Sequence, residues 1–141
     1  MCYGKVRRPR SRLLCYNRYW ILHWRLCLEA LEIAQKAVEA AAEKQATDIV
    51  LLDLRDICSF ADYFVLGTGE SGRQIIAISE EIERSLKKDG ERLIHREGTA
   101  DSGWVLLDYG DVIVHIFAPF ERKFFNLEDM WSSARTVVRM Q

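Results

Sequence analysis

The sequence predicts an α/β (α+β) fold in which helices flank a five-stranded mixed β-sheet. Strand-length apolar runs alternate with two amphipathic helical stretches along the chain. The last two apolar runs are separated by Gly110-Asp111, a spacing that is typical of a β-hairpin. The chain has 141 residues, of which 49% are hydrophobic, and this suits one domain with a substantial core.

The first 27 residues differ sharply in charge from the rest of the chain. They carry seven basic and no acidic residues, whereas residues 28–141 carry 13 basic and 21 acidic residues. We therefore expect residues 1–27 to be a basic N-terminal extension, disordered or cleaved, and residues 28–141 to form a single domain. The extension has the composition of an organelle transit peptide, with an upstream extension or an RNA-contacting arm as alternatives. The acidic domain is better suited to a basic partner than to a phosphate backbone.

Cysteine spacing and hydropathy argue against several classes of protein. The four cysteines form no C-x-x-C pair, so neither a zinc site nor any other metal or cofactor is predicted. No secretory signal is recognisable, which favours reduced thiols and a cytoplasmic location, or an organelle if residues 1–27 are a transit peptide. No apolar run approaches the roughly 18 residues that a membrane span requires.

The first three elements are predicted to be a helix followed by two strands. Apolar residues recur at steps of three and four from Leu28 to Gln45, as on one face of a helix. Thr47-Asp48 interrupts this pattern, and the apolar run from Ile49 to Leu54 predicts a buried strand. After a connection, Asp62 to Gly67 predicts the second strand.

The remaining elements are predicted to be a central helix, three strands and a last helix. The central helix has an apolar face and ends at Gly90; the residues of that face are Ile75, Ile78, Ile82 and Leu86. The strands are predicted at Arg92–Arg96, Trp104–Tyr109 and Val112–Ala118, and Pro119 is expected to end the sheet. Asn126 is expected to cap the last helix, whose predicted buried face is Leu127, Met130, Trp131 and Ala134.

The stretch GTGESG at residues 67–72 fits the G-x-G-x-x-G fingerprint of dinucleotide-binding proteins, between a predicted strand and a predicted helix. A nucleotide-binding enzyme is therefore one hypothesis. A dinucleotide fold, however, needs repeated strand–helix–strand units in a parallel sheet, for which the chain has no room. The alternative is structural: Gly69 forms a turn, and Ser71 with Gln74 forms a capping box for the central helix. We favour this structural interpretation.

Other candidate catalytic groups lack the neighbours that catalysis requires. His115 lies in an apolar strand, where a structural histidine is expected, and His95 lies in a short strand without a nucleophile motif. Asp108 and Asp111 flank the hairpin turn, where aspartate is common for backbone reasons. We therefore predict no catalytic residue.

The first strand of the hairpin is apolar on both of its faces. Because side chains alternate along a strand, Trp104, Leu106 and Asp108 share one face, and Val105, Leu107 and Tyr109 share the other. Either the fold covers both faces or one of them is a docking surface. The combination of Trp and Tyr with carboxylates is typical of interface hot spots.

Several segments together resemble the ribosomal silencing factor (Iojap) family. The resemblance extends from about Leu28 to Ala134, and the run WVLLDYGDVIVHIF at residues 104–117 is its most specific part. The other segments are Asp62-Tyr63-Phe64-Val65, Gly69-x-Ser71-x-x-Gln74, Ala77-Ile78 and Phe124-x-x-Leu127-Glu128-x-x-Trp131. Departures from the family pattern are mild: Phe125 replaces the usual Tyr, Met130 the usual Leu, and Thr68 a common Ser.

The resemblance implies a translation repressor that is not an enzyme. Family members bind the large ribosomal subunit through its ribosomal protein fourteen and sterically block joining of the small subunit, and a role in large-subunit maturation is also implied. The implied fold is similar to that of nucleotidyltransferases without the catalytic carboxylates, in agreement with the absence of an Asp-x-Asp motif. Neither DNA nor a membrane is an expected partner, and whether the free protein forms a homodimer stays open.

Applied to this chain, the resemblance places the docking face between Trp104 and Asp111. We predict that Trp104 is an apolar anchor, that Leu106 lies beside it, and that Asp108 or Asp111 faces an Arg or Lys of the partner. Tyr109 and Gly110 complete the predicted partner-binding set.

Overall fold

A computed structural model describes residues 29–141 as a helix-flanked sheet. Helix α1 (Ala30–Glu43) precedes strands β1 (Thr47–Asp53) and β2 (Tyr63–Thr68), which helix α2 (Gly72–Lys88) follows. Strands β3 (His95–Thr99), β4 (Trp104–Asp108) and β5 (Val112–Phe117) come next. The short helices α3 (Pro119–Phe125) and α4 (Leu127–Met130) then lead to strand β6 (Arg135–Met140). The predicted extension, residues 1–27, lies outside the described residues, as does Leu28.

The strands form one mixed sheet in the order β3-β4-β5-β2-β1-β6. Strands β2 and β5 are parallel, and the other neighbouring pairs are antiparallel, including the predicted β4–β5 hairpin. The mixed sheet is confirmed, but its predicted strand count is wrong, because residues 29–141 form six strands and not five. The strand missed is β6, an edge strand whose residues are exposed or half-buried, so it lacks the continuous apolar run of a buried strand.

Several local predictions also differ from the structure. Strand β3 begins at His95 and not at Arg92, and all five of its residues are exposed, so no apolar pattern marks its position. Pro119 follows the end of β5 but does not end the sheet, because β6 comes later. It lies in the first turn of helix α3, an element that the sequence analysis does not predict, where proline is favoured. The predicted last helix shortens to the four residues of α4, and Met130, expected to be buried, is 67% exposed. Its predicted cap, Asn126, has a left-handed backbone and no capping hydrogen bond from its side chain.

Helices α1 and α2 cover one face of the sheet, which we call the covered face. Their apolar side chains pack with residues of β1, β2, β4 and β5 in the larger core cluster. Gly90 follows the C-terminus of helix α2 and ends it as predicted. Its φ is 83°, and its N–H donates to the Lys87 carbonyl at 3.0 Å. None of the described helices is long and apolar enough to cross a membrane.

The opposite face carries a smaller core cluster. Residues of the connection between β1 and β2, among them Leu54 and Cys58, pack there against Phe64 and Leu66 of β2. Trp131 packs on the same cluster from the chain after α4. Trp104 of β4 lies at its margin and is only partly buried, so this face is open at β4.

Candidate functional site

Strand β4 sends alternate side chains to differently covered faces of the sheet. Val105 and Leu107 are fully buried in the larger cluster, and Tyr109, just beyond the strand, is 8% exposed in the same cluster. Trp104 and Leu106 point to the opposite face and stay partly exposed. The two-sided apolar pattern of β4 therefore results from one buried face and one open face.

The Trp104 ring is held in place by its neighbours on β5 and α3. Its Nε1–H donates to His115 Nδ1 at 3.2 Å. Its ring stacks on Phe117 with centroids 5.3 Å apart and lies 4.7 Å from Phe125. A large aromatic residue that is both half-exposed and fixed loses little conformational entropy when it binds a partner.

His115 supports this arrangement as a neutral imidazole. It is 4% exposed, and burial, with a smaller effect of the Arg122 charge, lowers the pKa of His115 to about 3. Because Nδ1 accepts from Trp104, the neutral ring carries its proton on Nε2, for which the described residues offer no hydrogen-bond acceptor. The ring also packs edge-on against Phe64, with centroids 4.8 Å apart. His115 therefore has a structural environment, with one of its two ring nitrogens hydrogen-bonded.

Helix α3 extends the open face with three phenylalanines that sequence analysis did not assign to any site. Phe120 and Phe124 are 70% and 69% exposed, and Phe125 is 39% exposed. Phe120 stacks on Phe124, and Phe124 contacts Phe125 edge-on at a centroid distance of 5.2 Å. Since Phe125 touches Trp104, the rings form one continuous surface. We call Trp104, Leu106, Phe120, Phe124 and Phe125 the aromatic face.

A buried arginine fixes α3 to the sheet. Arg122 is 7% exposed, and its Nη1 donates to Thr68 Oγ1 at the end of β2, at 3.0 Å. Its Nη2 lies 3.3 Å from a Glu128 carboxylate oxygen and 3.4 Å from one of Asp48. Arg139 of β6 approaches the same two carboxylates. This cluster holds Arg122 against the sheet, while Phe120 and Phe124 of the same helix are exposed.

The residues predicted at the hairpin turn are divided between different environments. Asp108 lies on the same strand face as Trp104 and Leu106, but its Oδ1 accepts from the Gly110 N–H at 2.7 Å, an interaction that shapes the turn. The Asp111 carbonyl accepts from the N–H groups of Asp62 and Tyr63, joining the turn to β2. Tyr109 belongs to the covered face, where burial raises the pKa of its hydroxyl. Of the six predicted docking residues, Trp104 and Leu106 thus lie together on the aromatic face.

The GTGESG stretch forms the junction between β2 and α2. Ser71 is the N-cap of α2, and its Oγ accepts from the Gln74 N–H at 3.2 Å. The Gln74 side chain accepts from the Glu70 N–H, not from that of Ser71, and also donates to the Lys44 and Gln45 carbonyls after α1. A Cβ at Gly69 would lie 2.8 Å from the Ile75 side chain. The stretch therefore ties the two helices of the covered face together, in a sheet that has a single parallel strand pair.

Comparison with known proteins gives consistent matches over this domain. A family model described as "Ribosomal silencing factor during starvation" matches residues 28–141. The ribosomal silencing factor RsfS of Bacillus subtilis is 40% identical over 102 residues, covering 72% of this chain and 86% of its own length. The chloroplastic protein Iojap of Zea mays is 37% identical over 112 residues, covering 77% of this chain and 47% of its own length.

A solved structure supports the fold. The crystal structure of a Chromobacterium violaceum protein superposes with a TM-score of 0.72 at 33% sequence identity, covering 74% of this chain and 88% of that protein. Within residues 29–141 no group of three or more His, Cys, Asp or Glu side chains is arranged to hold a metal ion.

Proposed function

The chain belongs to the ribosomal silencing factor family, and we propose that it represses translation by binding the large ribosomal subunit. In this proposal the aromatic face docks on ribosomal protein fourteen, and the bound protein sterically blocks joining of the small subunit. A contribution to large-subunit maturation is compatible with the same docking. The proposal requires no catalysis and places the protein in the cytoplasm, or in an organelle if residues 1–27 are a transit peptide.

The observation that supports this proposal best is the aromatic face itself. Three of its members are among the exposed large hydrophobic residues of the described chain, and they are continuous with the fixed ring of Trp104. Contiguous exposed apolar surface marks interaction sites in soluble proteins, and aromatic residues dominate binding energy at interfaces. A protein surface therefore fits this face better than a small polar ligand does.

Charge supports a basic protein as the partner. The segment from residue 28 to residue 141 has a net charge of −8 when His is neutral. Complementary charge raises the rate of encounter and selects among partners more than it raises affinity. Ribosomal proteins that coat the acidic ribosomal RNA are rich in Arg and Lys as a class, since they neutralise its phosphates.

Binding is tested by pelleting the full-length protein with purified Bacillus subtilis large subunits. We expect Trp104→Ala to weaken binding by about 30-fold or more, which is the range of an interface hot spot. Ile76→Ala is the matched control, because Ile76 is an exposed apolar residue on α2, behind the covered face. Equal pelleting of wild type and Trp104→Ala would contradict this docking face, and no pelleting of wild type would contradict ribosome binding altogether.

Subunit joining is tested separately. Purified large and small subunits are mixed with the protein, and the joined ribosomes are measured by sucrose-gradient sedimentation. We expect wild-type protein to lower the joined fraction and Trp104→Ala to lower it far less. A protein that binds large subunits without changing the joined fraction would refute the steric mechanism but not the binding.

A further inference from the structure

We propose that the cleft beside Trp104 is a subsite for an arginine side chain of the partner protein, with Glu97 and Glu121 as the carboxylates that face it. This inference rests on the proposed function and specifies how the aromatic face recognises its partner. The sequence analysis predicts Asp108 or Asp111 in this role, but Glu97 lines the cleft, whereas Asp108 Oδ1 accepts from the Gly110 N–H in the hairpin turn.

The cleft has the shape and lining that suit a guanidinium group. Its volume is about 370 Å³, and it is open to solvent. Its lining residues are Glu97, Gly98, Ser102, Trp104, Leu106 and Phe125. The Trp104 and Phe125 rings are tilted by 43° at a centroid distance of 4.7 Å. Planar guanidinium groups stack on aromatic faces, and the methylene groups of arginine pack on apolar surface such as Leu106.

One carboxylate lines this cleft and a second lies beside it. Glu97 belongs to its lining, and its Oε1 lies 2.6 Å from His95 Nε2. The Glu121 carboxylate lies against Gly103, between the cleft-lining residues Ser102 and Trp104. Its atoms are 2.3 to 2.7 Å from where a Cβ at position 103 would be, so a glycine is needed there. Gly103 also has a φ of 75°, which other residues rarely adopt.

The two arginines adjacent in sequence to these glutamates, Arg96 and Arg122, are directed elsewhere, and Lys123 is exposed on α3. Arg96 pairs with Glu83 of α2, behind the covered face. Arg122 is buried against Asp48 and Glu128. Among the ion pairs of residues 29–141, none includes Glu121. The Glu121 carboxylate is therefore available to an arginine of the partner protein.

The same arrangement disfavours ribosomal RNA as the occupant. A phosphate backbone would meet the Glu97 and Glu121 carboxylates here, whereas RNA affinity depends on neutralisation by Lys and Arg. Arginine also fits better than lysine, because the compact ammonium group is strongly hydrated and does not stack. The two classes of partner predict opposite effects when the carboxylates are neutralised.

The experiment measures the affinity of full-length protein for Bacillus subtilis large subunits by pelleting at several salt concentrations. The variants are Glu97→Gln, Glu121→Gln and the double variant, and the control is Glu80→Gln, an exposed carboxylate on α2. Each single variant is expected to bind about two- to fivefold more weakly, the range of exposed charge pairs, and the loss is expected to shrink at high salt. The double variant is expected to bind more weakly still, with Glu80→Gln unchanged.

The outcomes separate this subsite from the function on which it rests. If wild type pellets but the double variant binds equally well, the arginine subsite is wrong and the docking face stands. Tighter binding of the double variant would also overturn it, because that result indicates a phosphate at the cleft. If wild type does not pellet at all, the proposed function fails and this subsite fails with it.

Discussion

The covered and open faces of β4 both carry apolar side chains, but they differ in burial. Val105 and Leu107 are fully buried beneath α1 and α2, while Trp104 and Leu106, one residue away in each case, remain partly exposed. Because side chains alternate along a strand, one five-residue segment supplies both core packing and the candidate docking surface. An apolar residue in this strand is therefore a core residue or a contact residue according to what covers it, not according to its own chemistry.

The largest expected difference between the faces is in stability. Leu107→Ala should lower the free energy of unfolding by about 2–5 kcal/mol, because it leaves a cavity in the core. Leu106→Ala removes the same atoms from the open face and should cost less than about 1.5 kcal/mol while weakening large-subunit binding. Urea unfolding and pelleting measured on both variants provide the check. Equal stability losses would contradict the assignment of the two faces.

A second prediction concerns how the free energy of unfolding depends on pH through His115, which lies beneath Trp104. The folded-state pKa of His115, about 3, is below the ordinary value of 6.5, so the unfolded chain takes up the proton first as pH falls. Stability from this group is therefore complete above pH 6.5 and is lost progressively between pH 6.5 and about 3, at about 1.4 kcal/mol per pH unit. Between pH 6.5 and 5, wild type should lose about 2 kcal/mol more than His115→Phe does.

Urea unfolding of both proteins at several pH values measures this difference. The comparison uses the slope with pH, since His115→Phe also removes the acceptor for the Trp104 indole and changes stability at every pH. Parallel pH profiles for wild type and variant would show that the imidazole is protonated as readily in the folded state as in the unfolded one.

The elements predicted well from the sequence are those with a buried apolar face. Helix α2 and strands β1, β2, β4 and β5 have continuous or periodic apolar patterns, which burial in one core requires. Strands β3 and β6 are at the sheet edges, where neighbouring backbone supplies the pairing and the side chains stay largely exposed, so local sequence gives little signal.

The candidate site was predicted in part for the same reason. Trp104 and Leu106 were assigned to one strand face, because alternation follows directly from the sequence. The sequence does not show whether Tyr109 and Asp108 are free to contact a partner. The burial of Tyr109 beneath the helices and the hydrogen bond from the Gly110 N–H to Asp108 both depend on tertiary structure. The phenylalanines of α3 were missed with their helix, although the spacing of Phe120 and Phe124 by four residues is a helical signal.

The smallest expected effect on stability concerns Ser71, which caps helix α2 on the covered face. Ser71→Ala removes the acceptor for the Gln74 N–H at the start of α2 and should lower the free energy of unfolding by about 1 kcal/mol. Ser132→Ala, at an exposed serine after α4, is the control and should change stability by less than about 0.5 kcal/mol. Large-subunit affinity should be the same for wild type and both variants, because α2 packs behind the open face. A loss of binding in Ser71→Ala without a matching loss of stability would instead assign a direct functional role to the GTGESG stretch.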